Sequence, residues 1–434
     1  MIQPGMTDLA AQLAADLPQG DGRFPGWFEA LRQSAAEQFR EHGLPTRKDE
    51  TWKYTGLARL EQHAQRLTLV AEAGHSAVVS PLIEVEQRID VIDGIMQEMA
   101  AELPAGLTIM SLEDAATSNI TGLRALLESL PQQKQTSADG FSALNTAAME
   151  NGIVILVAAG QDGGRLLLNW STTAGGAVRL FNFRVCLLLE TGARFELLEQ
   201  FESTQDNSNT SNIVIQVELA AGAKLQHVRL QQESDQAHLI TRTEVAQQAD
   251  SEYAYFGFDL GGGLVRHDLH SSLLGRAARA SLNGAYLLDG NRHVDNHVKV
   301  DHRALDGYSE QYFRGVAGGS GKAVFNTAVY VHPGADGTDA KQSNANILLS
   351  RRAEIDTKPE LEIYADDVIA SHGATVGKLD EQAIFYLRSR GLDEEQARQL
   401  MTTAFCRSVS DKLTDTRLAE AISQRMMDVM PQAS

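Results

Sequence analysis

A short motif in the middle of the chain decides the fold, because it recurs at a regular interval. It reads Gly-Ala-Arg-Phe-Glu-Leu at 192–197 and Gly-Ala-Lys-Leu-Gln-His at 222–227, and weaker copies continue the series. The equivalent positions are Ala193, Ala223, Ser251 and Ala280, with steps of 223 − 193 = 30, 251 − 223 = 28 and 280 − 251 = 29. A later pair, Ala323 and Ala353, repeats the first step, since 353 − 323 = 30.

Around these motifs, apolar residues occupy every second position, as in Phe181, Phe183 and Val185 and again from 213 to 219. Such alternation predicts strands with one buried face. A repeat of this length without intervening helices favours a solenoid in which each β-coil stacks on the last. A β-sandwich with frequent turns is the alternative.

Helical patterns flank this strand region on both sides. Phe28, Leu31, Ala35 and Phe39 recur at helical spacing and are followed by Gly43, which predicts a helix that ends there. After Gly377 the apolar period is again helical. We therefore predict a mainly β fold with α elements: an N-terminal helical region at 1–148, a parallel β-helix core at 149–377 and a C-terminal helical region at 378–434.

Composition excludes several functional classes. The chain has 434 residues, with 38 basic and 57 acidic side chains, which gives a net charge of 38 − 57 = −19. Such an acidic surface repels phosphate and argues against general nucleic-acid binding. No apolar run reaches the roughly 18 residues of a membrane span, and the first residues lack the order of a secretory signal. A soluble, cytoplasmic protein without membrane or nucleic-acid partners is expected.

The chain contains two cysteines, Cys186 and Cys406, far apart in the sequence and each in an apolar neighbourhood. They cannot form a disulfide framework or a cysteine-rich zinc or iron–sulfur site by themselves. Both are interpreted as thiols that pack in the core rather than as nucleophiles.

One glycine-rich segment, Gly-Gly-Ser-Gly-Lys at 318–322, resembles a phosphate-binding loop. That loop requires a glycine five positions before its Gly-Lys pair and a hydroxyl after it. Val316 and Ala323 occupy those two positions. We therefore interpret the segment as a β-corner, and the chain is predicted to have no ATP site of its own.

A group of histidines is the first candidate for a metal site. His267 and His270 flank Asp268, and alternation puts His293, Asp295 and His297 on one strand face with His302 on the other. Residues i and i+2 of a strand lie about 7 Å apart, so two imidazoles can reach one metal. A metal-dependent enzyme using the His267–His302 histidines is one alternative function; a polar, solvent-exposed face is the simpler interpretation.

Acidic pairs suggest a second alternative, a secreted-type β-helical carbohydrate lyase or hydrolase. Its candidate acids are Asp366, Asp367, Glu360 and Glu362. The two aspartates stand at a strand end just before a turn, where acids commonly cap the backbone. The lyase interpretation also requires aromatic sugar platforms, which are absent nearby, and a signal peptide.

The segment Ala-Asp-Asp-Val-Ile-Ala-Ser-His-Gly-Ala-Thr-Val-Gly-Lys-Leu-Asp at 365–380 is distinctive. Supporting motifs are Phe-Tyr-Leu-Arg-Ser-Arg-Gly at 385–391, Gln-Ser-Asn at 342–344, Pro-Glu-Leu-Glu-Ile at 359–363 and Arg-Lys-Asp-Glu-Thr-Trp-Lys-Tyr-Thr at 47–55. Together they resemble the SufB/SufD family of iron–sulfur cluster assembly proteins. The chain length and the His-Gly-Ala-Thr at 372–375 resemble the SufD branch more than the SufB branch.

The resemblance implies a right-handed parallel β-helix between two helical regions, acting as a non-catalytic scaffold. It implies a heterodimer with a SufB-like paralogue and recruitment of a SufC-like ATPase by the C-terminal helices, so that nucleotide is hydrolysed by the partner. A homodimer of the chain alone is left open. The isolated chain is expected to bind no cofactor, and a transient iron–sulfur cluster is expected at the interface of the complex.

The resemblance also singles out His372. The matching histidine of the family lies near the SufB–SufD interface, opposite a SufB cysteine, and is needed for cluster assembly. His372 is thus the expected metal ligand of this chain, shared with the partner. Many relatives have a cysteine two residues earlier, where this chain has Ala370, so further ligands must come from the partner or from another side chain.

Overall fold

The structure, a computed structural model, describes residues 8–20, 22–62, 67–69, 80–97, 102–130, 136–173, 178–204 and 207–431. Its centre is a parallel β-solenoid of about seven turns with helices before and after it. This confirms the predicted parallel β-helix with two helical flanks. Each turn gives one strand to each of two sheets, which face each other across the core.

Twenty strands are described. Sheet 1 contains β4 (Leu107–Ser111), β5 (Gly152–Val157), β7 (Val178–Leu189), β9 (Thr210–Leu219), β11 (His238–Gln247), β13 (Leu264–Leu273), β15 (His293–His302), β17 (Lys322–Val331) and β19 (Glu354–Ile363), with β1 (Leu67–Thr68) beside β7. Sheet 2 contains β3 (Ile95–Met96), β2 (Gln87–Ile92), β6 (Asp162–Thr172), β8 (Arg194–Ser203), β10 (Lys224–Gln232), β12 (Glu252–Asp259), β14 (Arg279–Leu288), β16 (Tyr308–Ala317), β18 (Thr338–Leu348) and β20 (Val368–Gly377).

The helices lie before and after the solenoid in sequence. They are α1 (Asp8–Ala15), α2 (Gly26–His42), α3 (Ala58–Glu61), α4 (Leu112–Thr117), α5 (Leu123–Ser129), α6 (Gly140–Ala147), α7 (Glu381–Ser389), α8 (Glu394–Ser410) and α9 (Thr416–Asp428), with short 3-10 turns at Glu50–Trp52 and Ser137–Asp139. None of these described helices is both long and apolar enough to span a bilayer.

The recurring motif marks one corner of the solenoid. Its first residue adopts a left-handed backbone with φ near +70° at Gly192 and Gly222. The same corner is occupied by Asp250, Ala277 and Asp306, with φ between 57° and 61°. Glycine adopts this conformation without the steric cost that Cβ imposes. Replacement of glycine by other residues therefore explains why the sequence repeat fades after its second copy.

The strand register confirms the first two steps of the predicted repeat and corrects the third. Lys224 pairs with Arg194 on one side and with Glu252 on the other, as those two steps require. Ala280, however, pairs with Tyr253 and not with Ser251. The third coil is therefore shorter than the similarity of the motifs indicates.

The later pair of alanines is also out of register. Ala323 of β17 pairs with Ile355 of β19, and Ala353 lies just before that strand begins. The turns between strands differ in length from coil to coil. The spacing between similar alanines therefore predicts the solenoid correctly, but it does not predict the register of the paired strands.

Helices cover the outer faces of both sheets. The N-terminal helices pack on sheet 1, where Cys186 is buried in their contact layer. Helices α8 and α9 pack on sheet 2 and bury Cys406. Burial raises the pKa of both thiols to about 12, so both remain protonated. The interpretation of the two cysteines as packing residues is confirmed.

The N-terminal segment contributes strands as well as helices. β2 pairs with β6 in parallel, and β4 pairs with β5 in antiparallel orientation. These additions extend the two sheets beyond the first coils. The part of the chain predicted as helical, residues 1–148, therefore also builds the N-terminal end of the solenoid.

Candidate functional site

The C-terminal end of the solenoid exposes β20 as an edge strand. β20 pairs with β18 along one side, and no strand of the described chain pairs with the other. The sequence of β20 includes no Lys, Arg, Asp, Glu or Pro, and Ile369 is 68% exposed. Edge strands normally carry charges or prolines that prevent pairing with another chain. This edge lacks that protection.

The neighbouring edge strand, β19, is protected. Lys358 on its outer face forms ion pairs with Glu50, at 3.0 Å, and with Glu360, at 2.7 Å. Pro359 removes one backbone donor from the same strand. The contrast identifies β20 rather than β19 as the edge that is available for strand pairing.

His372 lies in the middle of β20. It pairs in register with Gln342 of β18, and paired residues of parallel strands share one face of a sheet. Gln342 is buried inside the solenoid, but His372 is exposed because no further coil covers it. Among the described residues, no side chain hydrogen-bonds its imidazole. The imidazole therefore lies free at the C-terminal open end of the solenoid, next to β20, which we call the mouth.

Ala370 shares that inward face, two residues before His372, and supplies no ligand atom. Both cysteines are buried in the outer packing layers. At the mouth, the described chain therefore offers an imidazole and no thiolate.

The other predicted histidines do not form an exposed polar face. His267 points into the core, bonded to Thr241 at 2.5 Å and stacked on Tyr255. His302 is also buried and bonds Ser309 at 2.8 Å. Burial lowers the pKa of both imidazoles, of His302 to about 4. The prediction of a solvent-exposed face is wrong. Alternation along a strand shows which residues share a face, but not whether another part of the chain covers that face.

On the other face of β15, Asp295 lies at the centre of a group of polar contacts. Its carboxylate accepts hydrogen bonds from Arg266 at 2.5 Å and from Thr55 at 2.5 Å. The Arg266 guanidinium lies 4.5 Å from the ring centre of Trp52. Burial opposes ionisation of Asp295, but Arg266, His297 and the hydrogen bond from Thr55 together outweigh it and hold the pKa of the carboxyl well below its usual range. These residues fasten the 47–55 segment onto sheet 1.

His270 belongs to a cluster of ion pairs. Its ring nitrogens contact Glu244 at 2.8 Å and Asp301 at 2.6 Å, and His332 also contacts Asp301 at 3.0 Å. Burial opposes protonation, but the two carboxylates raise the pKa of His270 to about 9. Within the described ranges, no three His, Cys, Asp or Glu side chains are arranged to hold a metal ion. The histidine-based metal enzyme therefore finds no support.

The candidate acids of the lyase alternative are dispersed. Asp366 and Asp367 lie in the turn before β20, and their backbone N–H groups donate to Asp336. On the outer face of β19, Glu360 pairs with Lys358 and Glu362 accepts from Tyr364. Asp366 and Asp367 therefore belong to a turn, and Glu360 and Glu362 belong to the surface of a strand. This arrangement does not resemble a pair of catalytic carboxylates. Residues 318–321 form the turn before β17, which begins at Lys322, as the β-corner interpretation predicted.

A second exposed surface lies on the C-terminal helices. On α7, Phe385 is 73% exposed and Tyr386 56% exposed, and Leu400 on α8 is 49% exposed. The opposite sides of these helices are buried: Ile384 of α7 packs in the same apolar cluster as Cys406 of α8, and α8 contacts β14 and β16 of sheet 2. Large apolar side chains left outside a well-packed region mark a surface suited to another protein.

These features describe a parallel β-solenoid with two exposed surfaces, one at its open end and one on its C-terminal helices. Comparison with known protein families supports this description of the fold. The SufBD core domain of SUF-system FeS cluster assembly matches residues 171–405, and the SufBD N-terminal region matches residues 23–165. The chain belongs to the SufBD family and takes part in iron–sulfur cluster assembly.

Individual relatives support this assignment over nearly the whole chain. The iron–sulfur cluster assembly protein SufD of Escherichia coli is 31% identical, covering 96% of this chain and 99% of the relative. An iron–sulfur cluster assembly SufBD family protein of Synechocystis is 29% identical over 91% of this chain and 90% of its own length. The chloroplastic protein ABCI7 of Arabidopsis thaliana is 30% identical over 90% and 84%. The resemblance to the SufD branch is confirmed.

Proposed function

We propose that the chain is a non-catalytic scaffold that pairs with a SufB-like paralogue through the open end of its solenoid. The observation that carries this proposal is the unprotected, uncharged edge of β20. A parallel solenoid strand from a related protein can continue the sheet and satisfy the unpaired backbone groups of this edge. The paralogue then covers the exposed Ile369 and His372.

Pairing would place His372 at the contact between the two proteins. An imidazole can bind iron, and histidine replaces cysteine as a ligand in some natural iron–sulfur centres. Since Ala370 offers no thiolate, the sulfur ligands of the nascent cluster come from the paralogue. The cluster is cargo of the complex, and this chain contributes one ligand and the shape of the site.

The C-terminal region, residues 378–434, would bind the SufC-like ATPase. Phe385, Tyr386 and Leu400 supply the exposed apolar contacts. Helix α8 packs directly on sheet 2, where Ser408 bonds Tyr312 of β16 and Lys412 pairs with Glu310. Nucleotide-driven movement of the ATPase would therefore act on β16, which connects through β18 to β20 and the proposed interface. In the proposed division of the chain into domains, residues 1–148 form the N-terminal region and residues 149–377 form the core.

Replacing Phe385 with aspartate is expected to release the ATPase while the paralogue remains bound. The side chain is largely exposed, so the substitution changes the surface and leaves the packing on sheet 2 intact. Co-expression of the three proteins and affinity purification on this chain would measure retention of each partner. We expect at least a tenfold loss of the ATPase.

The matched control is Gln424→Asp, which adds the same charge to an exposed position of α9. It should retain both partners. Full retention of the ATPase by Phe385→Asp would refute the proposed surface. A truncation after Gly377 is a poorer test, because it would uncover the apolar outer face of sheet 2, including Val228 and Phe256.

A further inference from the structure

A row of polar side chains lines the inner face of sheet 2 near the open end. Gln311, Gln342 and His372 are paired in register on successive strands β16, β18 and β20. Gln311 is 1% exposed and Gln342 is 5% exposed, whereas His372 is open to solvent. Deeper in the same row, Leu282 of β14 is apolar, and buried polar side chains farther in, such as His227 and Arg229, have charged partners. The two amides directly behind the candidate ligand have no charged partner and differ in this respect.

The hydrogen bonds of Gln342 fix the orientation of its amide. Its Nε2 donates to the hydroxyl of Thr327 at 3.1 Å and to the backbone carbonyl of Glu360 at 3.3 Å. Because a carbonyl can only accept, Nε2 must face that side. The Thr327 hydroxyl then donates to Oε1 of Gln311. The Oε1 atom of Gln342 therefore takes no part in these contacts.

That Oε1 atom is buried and has no hydrogen-bond partner among the described residues. A buried acceptor without a donor destabilises the folded chain, because it has lost the hydrogen bond that water would give it. Its two neighbours in register on the same face are Gln311, whose Nε2 also has no partner among the described residues and lies beyond hydrogen-bond distance, and the imidazole of His372. Each lies one strand spacing, about 4.8 Å, away. In the isolated chain the imidazole stays in solvent, where water satisfies both of its nitrogens.

Pairing with the paralogue changes the hydrogen bonding of the His372 imidazole. Once a partner covers the mouth of the solenoid, the imidazole of His372 loses its water and needs a protein acceptor. Rotation about its side-chain torsions can bring a ring N–H to Gln342 Oε1. Ligating histidines in metal sites usually donate their other ring N–H to such an acceptor, which fixes the tautomer and the ring orientation.

We propose that Gln342 is a positioning residue for His372. On pairing, Oε1 of Gln342 accepts one ring N–H of His372, and the other ring nitrogen is presented to the iron of the nascent cluster. The iron part of this inference depends on the function proposed above; the hydrogen bond itself does not.

A double-mutant cycle on pairing with the paralogue tests the hydrogen bond without any cluster. The dissociation constant is measured for wild type, His372→Ala, Gln342→Met and the double variant. We expect the effects to be non-additive by about fivefold, the value of one net hydrogen bond. Gln226→Met is the control, because Gln226 lies on β10, far from the open end, where its amide donates to Glu196, and it should show additivity with His372→Ala. Additive effects at positions 342 and 372 would overturn the proposal.

Two conservative variants identify the donor nitrogen. His372→Asn carries an amide N–H near the position of Nδ1, and His372→Gln carries one near Nε2. One of the two should retain the coupling with Gln342, and loss of coupling in both would contradict donation by the ring. A purely structural role for Gln342 would not distinguish these variants.

Cluster formation in the complex tests the iron part. Gln342→Met should lower the yield or retention of iron by about 10- to 100-fold, and Gln226→Met should not. If His372→Ala assembles clusters normally, the proposed function fails while the measured coupling still supports the hydrogen bond. If His372→Ala fails but Gln342→Met is normal and additive, the positioning role alone is refuted.

Discussion

Replacing His372 with alanine is expected to abolish cluster formation by the reconstituted complex and to leave the chain folded. The imidazole is the metal-binding side chain on the inward face of β20, because Ala370 carries no thiol and both cysteines are buried. The side chain is exposed, so its removal should change the free energy of unfolding by less than about 0.5 kcal/mol. Reconstitution with ferrous iron and a sulfide source, followed by the visible absorbance of the cluster, measures the effect.

Ser371→Ala is the matched control for this substitution. It removes a polar side chain from the adjacent position of β20, on the opposite face of the strand. That variant should build clusters at the wild-type rate, and both variants should still bind the paralogue at micromolar concentrations. Normal cluster formation by His372→Ala would eliminate the ligand role.

The second large effect concerns stability. Asp295→Ala should lower the free energy of unfolding by about 3 kcal/mol, because it breaks a fully buried ion pair and leaves the guanidinium of Arg266 with the partly exposed Asp268 as its remaining carboxylate partner. It also removes the acceptor that holds Thr55, and with it the attachment of the 47–55 segment. Urea unfolding at neutral pH, monitored by tryptophan fluorescence, reports on this region through the adjacent Trp52.

An exposed ion pair on the same sheet provides the comparison. Glu354 pairs with Lys322 at 2.6 Å, but both side chains are more than half exposed. Glu354→Ala should therefore cost less than about 1 kcal/mol. Equal losses for Asp295→Ala and Glu354→Ala would show that the buried contact does not fasten the N-terminal segment.

The solenoid could be predicted from sequence because its geometry imposes a local rule on every coil. The strand alternation and the left-handed corner at Gly192 and Gly222 are both visible in the residues themselves. The register beyond Ser251 was predicted incorrectly, because Asp250 and Ala277 occupy the same corner without resembling glycine and because the turns differ in length.

The environment of each side chain was harder to predict. Alternation correctly placed Asp295 and His302 on opposite faces of β15, but it gave no sign that the 47–55 segment covers one face. The role of Gln342 was equally hidden, since it depends on which residue lies in register with it on the next coil. A signal was nonetheless present: His372 and Gln342 occur in corresponding positions of two successive strands.

Cross-linking from β20 tests the central claim most directly. A photoreactive benzoylphenylalanine replaces Ile369, which is exposed beside the unpaired edge, and the purified complex is irradiated. A second sample carries the same group at Gln424 on α9. We predict that position 369 cross-links to the SufB-like paralogue and that position 424 does not. Absence of that product from position 369, in a complex that contains the paralogue, would contradict pairing through the open end of the solenoid.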